Sequence, residues 1–202
     1  MASNAPSDLQ TGDYFADVTF SELSLPGVDL SDKEFERCTF RRCKLPESRW
    51  ARAKLEDCAF EDCDLGRMVP QQLGLRGVTF RDSKLMGVDW SELAPRPDVT
   101  FERCDLRYAS FVKLRLPKAR FLRCGMREGN LIEVDLTEAD FAGSDLTGST
   151  IAGCTLTKAD FSRATGVFFD PQRNKTKGAR ITLGTGLAIL ESVGLQVSSS
   201  EE

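Results

Sequence analysis

The chain has 202 residues, of which 41% are hydrophobic and 29% charged, and its formal net charge is −4 with no histidine. These proportions fit one soluble domain. Residues 1–12 lack the apolar run of a secretory signal or a membrane span, so we expect a cytoplasmic protein without membrane contact. Seven cysteines in such a setting predict reduced thiols rather than a disulfide framework.

Residues 1–13 precede any repeat and are predicted to form a flexible N-terminus. From Phe20 onward, a large apolar residue recurs at every fifth position except Pro70, and the series continues with one slip to Phe161. An α-helix cannot line one face with this spacing, because five residues advance about 500° around its axis. The two-residue period of a strand does not fit either.

Small residues occupy the position two before the large ones, where Ala, Cys, Ser or Val recurs. All seven cysteines fall in this position, at 38, 43, 58, 63, 104, 124 and 154. A metal site would need the C-x2-C spacing of zinc knuckles or histidine ligands, and the sequence has neither. We therefore predict that the cysteines are buried as small apolar residues.

A second period, of twenty residues, indicates how the chain winds. Phenylalanine recurs at this interval in one column: Phe20, Phe40, Phe60, Phe80, Phe101, Phe121, Phe141 and Phe161. A coil with four five-residue sides places equivalent residues above one another, so each coil covers the apolar surface of the previous one. The sequence therefore predicts a quadrilateral β-helix over residues 14–181, with the phenylalanine column stacked in its core.

The interval lengthens to twenty-one residues between Phe80 and Phe101, so an insertion lies there. The segment from Ser91 to Val99 contains two prolines, which cannot donate ladder hydrogen bonds and which favour a protruding turn. We predict a surface loop over residues 91–99, which either binds a partner or is a tolerated insertion. The candidate contact residues are Ser91, Glu92, Leu93, Pro95, Arg96, Pro97 and Asp98.

Charge is distributed unevenly along the second half of the chain. Residues 101–127 carry eight basic and two acidic side chains, whereas residues 128–160 carry one basic and seven acidic side chains. The acids are either a surface that attracts a cationic DNA-binding protein or ordinary solvated residues. They are Glu128, Glu133, Asp135, Glu138, Asp140, Asp145 and Asp160. Direct nucleic-acid binding by the basic segment is not expected, because the chain is acidic overall and its aromatic residues are predicted to face inward.

Residues 182–202 form a tail in which residues 185–193 are predicted to be a short helix, with Gly194 as its left-handed stop. The tail is too apolar to face water, so it either covers the last coil or joins two chains end to end. We favour the homodimer. The candidate dimerisation residues are Leu183, Leu187, Ile189, Leu190, Val193 and Leu195.

Units such as ADFAG, SDLTG and KADFS fit the pattern A/C-x-L/F-x-x, and nearly the whole chain resembles the pentapeptide repeat family in this way. The resemblance implies an all-β fold, a right-handed quadrilateral β-helix with a short C-terminal α-helix. Longer stretches resemble the Qnr-type and albicidin-resistance proteins within that family. They are CTFRRCKL, GVDW, EADFAGSDLTGST, DPQRNKTKGARIT and LAILESVGLQV.

This second resemblance implies a rod-shaped homodimer, joined at its C-terminal ends, that imitates duplex DNA. Such a protein binds DNA gyrase, with topoisomerase IV as a second candidate partner, and protects the enzyme from poisons in antibiotic resistance or producer self-resistance. Qnr-type proteins typically carry two protruding loops, whereas this sequence has one clear insertion. The alternative is a scaffolding solenoid without a topoisomerase role.

Catalysis is not expected from this sequence. It contains no histidine, Walker loop, dinucleotide fingerprint or nucleophile elbow. Regular ladders of side chains also leave no concave pocket for a substrate. The sequence therefore predicts a protein with no catalytic, cofactor-binding or metal-ligating residues.

Overall fold

The structure is a computed structural model that describes residues 9 and 11–198. Most of the predicted flexible N-terminus, residues 1–8 and 10, lies outside the described residues, as do residues 199–202 of the predicted tail. Within the described ranges, no helix is long and apolar enough to cross a membrane.

Short parallel strands wind the chain into a β-solenoid. The strands are Tyr14–Ala16 (β1), Thr19–Ser21 (β2), Glu34–Glu36 (β3), Thr39–Arg41 (β4), Lys54–Glu56 (β5), Ala59–Glu61 (β6), Gly74–Arg76 (β7), Val78–Arg81 (β8), Val99–Glu102 (β9), Ser110–Val112 (β10), Arg120–Leu122 (β11), Asn130–Ile132 (β12) and Thr150–Ala152 (β13). They form the sheets β1-β3-β5-β7, β11-β9-β8-β6-β4-β2 and β10-β12-β13, and the strand pairs are parallel. The solenoid fold predicted from the repeat period is confirmed.

The solenoid has four faces, and a regular coil contributes one five-residue segment to each. The first face carries the sheet that begins at β1, the second carries the six-stranded sheet, and the fourth carries the sheet that begins at β10. Isolated parallel bridges such as Ser24–Lys44 form the third face. Partners lie twenty residues apart, as Phe20 and Phe40 do, so the outward side chains of successive coils also align in columns.

The corners between faces are formed by residues in the left-handed backbone region. Arg52, Lys118 and Glu133, for example, have φ angles of 59°, 62° and 56°. This conformation costs about 1–2 kcal/mol for a residue with a Cβ. Ladder hydrogen bonds hold it in place, such as the one from Lys118 N to Thr137 O at 2.8 Å. Because corner side chains point away from the core, charged residues suit these positions.

Stacked columns of side chains fill the interior. The eight phenylalanines of the second face are at most 1% exposed, and adjacent rings stack with centroids 4.6 to 5.4 Å apart. Trp50 and Trp90 of the fourth face meet this column edge-on, each 5.8 Å from a phenylalanine ring. All seven cysteines are free and buried, and burial raises the pKa of the Cys154 thiol.

The two tryptophans occupy equivalent positions but differ in one hydrogen bond. Trp50 Nε1 donates to Ser48 Oγ at 2.8 Å. Trp90 has Val88 where Trp50 has Ser48, and its Nε1 is buried without a hydrogen-bond partner. An unpaired buried donor costs about 1–3 kcal/mol.

We expect Val88→Thr to stabilise the protein by about 1 kcal/mol, because a hydroxyl at this position can accept the hydrogen bond of Trp90 Nε1. For a domain of this size, the gain corresponds to a rise in Tm of about 2–4 °C. Val134→Thr is the matched control, since Val134 is also buried but precedes a leucine, so its hydroxyl gains no indole donor. A Tm for Val88→Thr at or below that of Val134→Thr would contradict the prediction.

The C-terminal helix spans Leu183–Ser192 and therefore begins two residues before the predicted start. Thr182 caps it, since Thr182 Oγ1 accepts a hydrogen bond from Thr185 N at 3.1 Å. Gly194 follows the helix with a φ of 84°, which a glycine adopts without strain. The helix lies at the last coil and closes the C-terminal end of the solenoid.

Candidate functional site

Ion pairs link successive coils along the outer surface. An acid and a base twenty residues apart lie side by side because the ladder register is twenty. Arg37 Nε lies 2.7 Å from Asp17 Oδ1, and Arg52 Nη2 lies 2.6 Å from Asp32 Oδ2. Hydrogen bonds from the arginines hold the pKa of both aspartates below the usual range. Acids of the N-terminal half are therefore partly neutralised by bases of the next coil.

The same pairing neutralises part of the predicted acidic surface. Glu138 lies between the lysines of the previous and next coils, with Lys118 Nζ at 3.9 Å and Lys158 Nζ at 3.8 Å. Asp135 Oδ2 lies 3.9 Å from Arg115 Nε. These distances are long and the basic side chains are exposed, so each pair is weak.

Two further acids of that surface have closer basic partners. Asp145 Oδ2 accepts a hydrogen bond from Arg127 Nε at 2.6 Å, and Asp145 Oδ1 accepts from the Thr147 hydroxyl, also at 2.6 Å. The hydrogen bond from Thr147 lowers the pKa of the Asp145 carboxyl. Asp160 Oδ2 accepts from Arg180 Nη1 at 3.1 Å. These carboxylates are already engaged within the chain.

The remaining three acids, Glu128, Glu133 and Asp140, form no ion pair within the described part of the chain. Glu128 and Glu133 stand at successive exposed corners, with φ angles of 55° and 56°. Asp140 lies on the second face, where its Oδ1 accepts from Ala142 N at 2.9 Å. The structure thus distributes the seven predicted acids over several faces. Glu128, Glu133 and Asp140 are the ones without an ion pair among the described residues, and Arg120 is the ladder neighbour of Asp140.

The predicted loop is attached to the solenoid on its N-terminal side. Asp98 N donates to Leu75 O at 2.9 Å. Leu93 is only 7% exposed, so it packs in the core and does not offer a contact surface, contrary to its place among the loop candidates. Strand β9 begins at Val99, so the segment that leaves the ladder is shorter than the predicted 91–99.

The first residues of the predicted loop continue the regular coil. Ser91 is half-buried in a turn, and Glu92 O accepts a ladder hydrogen bond from Gln72 N at 2.6 Å. Residues 95–97 make no backbone hydrogen bond to the described parts of the chain. The protruding element is therefore a short Pro-Arg-Pro segment.

A cleft of about 510 Å³ separates this segment from the next coil on the first face. Its walls combine basic and apolar side chains, chiefly Arg96, Pro97 and Val99 on one side and Arg115, Pro117 and Lys118 on the other. Arg115 and Lys118 were not among the binding residues predicted from the sequence. The lengthened repeat interval indicates the insertion. It does not show whether the inserted segment loses its hydrogen bonds to the preceding coil or to the following coil.

Apolar side chains of the tail are exposed at the C-terminal end of the rod. Leu183 is 81% exposed, Leu190 41%, Val193 49% and Leu195 55%. Leu187 is partly buried. Five of the six predicted dimerisation residues thus present at least some apolar surface to solvent.

Ile189 is the exception among these residues, because it is 9% exposed and joins the core. It anchors the helix to the last coil and is not available to a second chain, which corrects its place in the predicted dimer surface. Phe168 and Val197, which were not among the predicted residues, are 47% and 49% exposed at the same end of the chain. Both add exposed apolar surface in the C-terminal part of the chain.

The described surface can bind a partner through charged side chains, unpaired backbone groups and apolar side chains. Among the residues that the structure describes, no group of three or more Asp, Glu, Cys or His side chains is placed to hold a metal ion. The binding features are the unpaired acids, the cleft beside the loop and the apolar tail.

Two family models match the chain, a pentapeptide repeat region over residues 33–96 and pentapeptide repeats over residues 130–165. Protein McbG of Escherichia coli is 45% identical over 113 residues, which cover 56% of this chain. The match spans 60% of the length of McbG.

The fold is similar to solved structures of QnrB1, a plasmid-mediated fluoroquinolone resistance protein. One trypsin-treated variant superposes with a TM-score of 0.70 at 21% identity, covering 94% of this chain and 92% of QnrB1. A second trypsin-treated variant gives a TM-score of 0.69 at 19% identity, covering 92% and 90% of the two chains. The chain therefore shares the fold of QnrB1 along almost its whole length.

Proposed function

Because the chain belongs to the pentapeptide repeat family, we propose that it is a binding protein, not an enzyme, that engages bacterial DNA gyrase and protects it from topoisomerase poisons. The observation that carries this proposal is the agreement of fold with a fluoroquinolone resistance protein along 94% of the chain. The 45% identity to McbG over 113 residues adds support from sequence. Topoisomerase IV is a second candidate target.

Imitation of duplex DNA is the proposed mechanism. An enzyme surface that binds DNA is cationic, and a rod with unpaired carboxylates offers it the charge that phosphates offer. Glu128, Glu133 and Asp140 are the carboxylates proposed to supply this charge. The other four predicted acids are partly neutralised by bases of the same chain, as Asp145 is by Arg127. Each of the three acids without an ion pair should therefore contribute more to enzyme binding than any of the four paired acids.

A homodimer joined at the C-terminal ends is part of the proposal. Leu183, Leu190, Val193 and Leu195 are exposed together in the tail, and a two-fold contact would bury them on both chains. The dimer would place the unpaired acids of both chains towards the middle of a longer rod. Two copies of the acidic surface could then contact the two halves of a symmetric enzyme.

The short segment at residues 95–97 is proposed to touch the target enzyme. It leaves the ladder, it carries the exposed Arg96, and two prolines stiffen it. A rigid protruding element loses little conformational entropy when it binds. The segment can thus reach into an enzyme surface that the smooth faces of the rod do not enter.

Direct nucleic-acid binding is not part of the proposed function. Four of the eight basic residues in 101–127 form close ion pairs with neighbouring acids; for example, Arg103 Nε lies 2.6 Å from Asp82 Oδ1 and Arg107 Nη2 lies 2.7 Å from Asp105 Oδ2. A hydrogen bond from Arg103 lowers the pKa of the Asp82 carboxyl. A nucleic-acid site would instead leave its basic side chains open to phosphate.

Binding of the purified protein to purified gyrase tests the proposal directly. We expect saturable binding that weakens as the salt concentration rises from about 0.05 M to 0.3 M, because salt screens exposed charges. Duplex DNA should compete with the protein for the same enzyme. Binding that is absent at the lower salt concentration, for gyrase and for topoisomerase IV alike, would favour a scaffolding role.

We expect Leu190→Glu with Leu195→Glu to convert the dimer into a monomer of 22.4 kDa in sedimentation equilibrium, since two buried charges on each chain would face each other. Ile189 remains in place, so the helix should stay docked. Val69→Glu is the matched control, because Val69 is 46% exposed on the fourth face, away from the tail. A double variant that still forms dimers would place the interface elsewhere. A wild-type protein that sediments as a monomer would show that there is no dimer.

A further inference from the structure

The hydrogen-bond ladder of the first face opens beside the loop. In the regular coils that follow, Asp135 N donates to Leu114 O at 2.9 Å and Leu116 N donates to Asp135 O at 2.8 Å. By the same register, three backbone groups of the coil after the loop point back towards it. They are Arg115 N, Arg115 O and Pro117 O. None of these three groups has a backbone partner in the part of the chain that the structure describes.

The loop is bonded to the preceding coil and not to the following one. Asp98 N donates to Leu75 O at 2.9 Å, and Val78 N donates to Asp98 O at 3.1 Å. Pro97 has no N–H that could reach across to the coil of Pro117. The insertion therefore leaves an open strand edge inside the solenoid, and an open edge is a template for a further strand.

The cleft at this edge has room for a short segment and has basic walls. Its volume is about 510 Å³. Arg96, Arg115 and Lys118 line it, and the only acid among its lining residues is Asp98. Arg115 and Lys118 reach acids of the next coil only at 3.9 Å, and both side chains are 78% exposed. Both can therefore turn towards a negatively charged occupant.

The floor of the cleft is apolar. Val99 is 4% exposed and Ala119 is 7% exposed, and both line the cleft. In an added strand, successive side chains point to opposite sides, so one set would cover this floor while the other set faced the basic walls. The site thus favours an extended segment in which small apolar residues alternate with acids.

We propose that this cleft binds an extended acidic peptide segment of a partner protein, which adds as a strand to the edge formed by Arg115 and Pro117. Three backbone hydrogen bonds hold the segment, from Arg115 N and to Arg115 O and Pro117 O. Its acidic side chains pair with Arg96, Arg115 and Lys118. The inference does not depend on gyrase binding, since it rests on the open ladder and on the charge of the cleft.

A panel of acetylated, amidated heptapeptides in which Val alternates with Asp or Glu is a suitable probe. Titration of the full-length, ¹⁵N-labelled protein to about 1 mM peptide should shift the amide signals of Arg115, Lys118 and Val99. Peptides that are N-methylated on alternate residues should bind about tenfold more weakly, because they cannot complete the ladder. No shift at Arg115 with any peptide of the panel, or equal binding of the methylated peptides, overturns the proposal.

The variant Arg115→Glu with Lys118→Glu should weaken peptide binding about tenfold or more. Its matched control is Lys175→Glu with Lys158→Glu, which changes the same outward and corner positions where the ladder is closed. In that region Lys175 N donates to Cys154 O at 2.9 Å. If the control weakens binding as much as the cleft variant does, the peptide is held by general charge attraction and the proposed site is wrong.

Discussion

We expect Phe141→Ala to lower the free energy of unfolding by about 3–5 kcal/mol, because it removes a ring that has a stacked neighbour on each side. Phe141 is fully buried, and its ring centroid lies 4.9 Å from that of Phe121 and 4.6 Å from that of Phe161. In a solenoid, each coil is stabilised chiefly by its neighbours, so a cavity loosens the coils above and below it. The Tm should fall by about 10 °C.

Cys58→Ala is the control for this prediction. Cys58 is as well buried, but its substitution removes a single sulfur, which lies 3.4 Å from Phe35 O. We expect a cost of about 1 kcal/mol, as for other losses of one small buried group. Denaturant unfolding of both variants measures the difference. Equal stabilities for Phe141→Ala and Cys58→Ala would mean that the phenylalanine stack does not hold the coils together.

The second large effect concerns gyrase affinity. Glu128→Lys with Glu133→Lys reverses two of the three unpaired acids, and we expect it to weaken binding about tenfold or more at low salt. Folding should be preserved, because lysine occupies equivalent left-handed corners elsewhere, as at Lys113 with φ of 55° and Lys118 with φ of 62°. At high salt the difference from the wild type should shrink, since screening removes most of the repulsion.

Asp57→Lys with Asp62→Lys is the matched control for the charge reversal. Both residues are exposed corner positions, with φ angles of 51° and 54°, and the change in net charge is the same. They lie in the N-terminal half, far from the proposed contact. If this control weakens gyrase binding as much as the reversal at Glu128 and Glu133, net charge alone governs affinity and no local acidic surface imitates DNA.

The repeat period made most of the fold predictable from sequence. A five-residue spacing fits neither helix nor ordinary strand, and the twenty-residue column from Phe20 to Phe161 is enough to place the coils in register. The same register also predicts which charged side chains are neighbours. Residues twenty apart lie side by side, so the series Lys118, Glu138 and Lys158 already implied a neutralised column.

Other features could not be read from the period. Ile189 was grouped with the exposed leucines because a short apolar helix does not reveal which side faces the last coil. Leu93 was placed in the loop because the insertion was located only to within one coil. The edge at Arg115 is open because Asp98 forms its hydrogen bonds with the preceding coil and not with the following one. The repeat period does not indicate which of the two coils Asp98 bonds to.

Supercoiling by DNA gyrase in the presence of a poison tests the proposed function most directly. Purified protein is titrated into reactions inhibited by a fluoroquinolone or by albicidin, beside the variant Glu128→Lys with Glu133→Lys. We predict that the wild-type protein restores supercoiling at concentrations near that of the enzyme and that the variant needs at least about tenfold more protein. If the wild-type protein restores supercoiling with neither poison while remaining folded and dimeric, protection of gyrase is not its function.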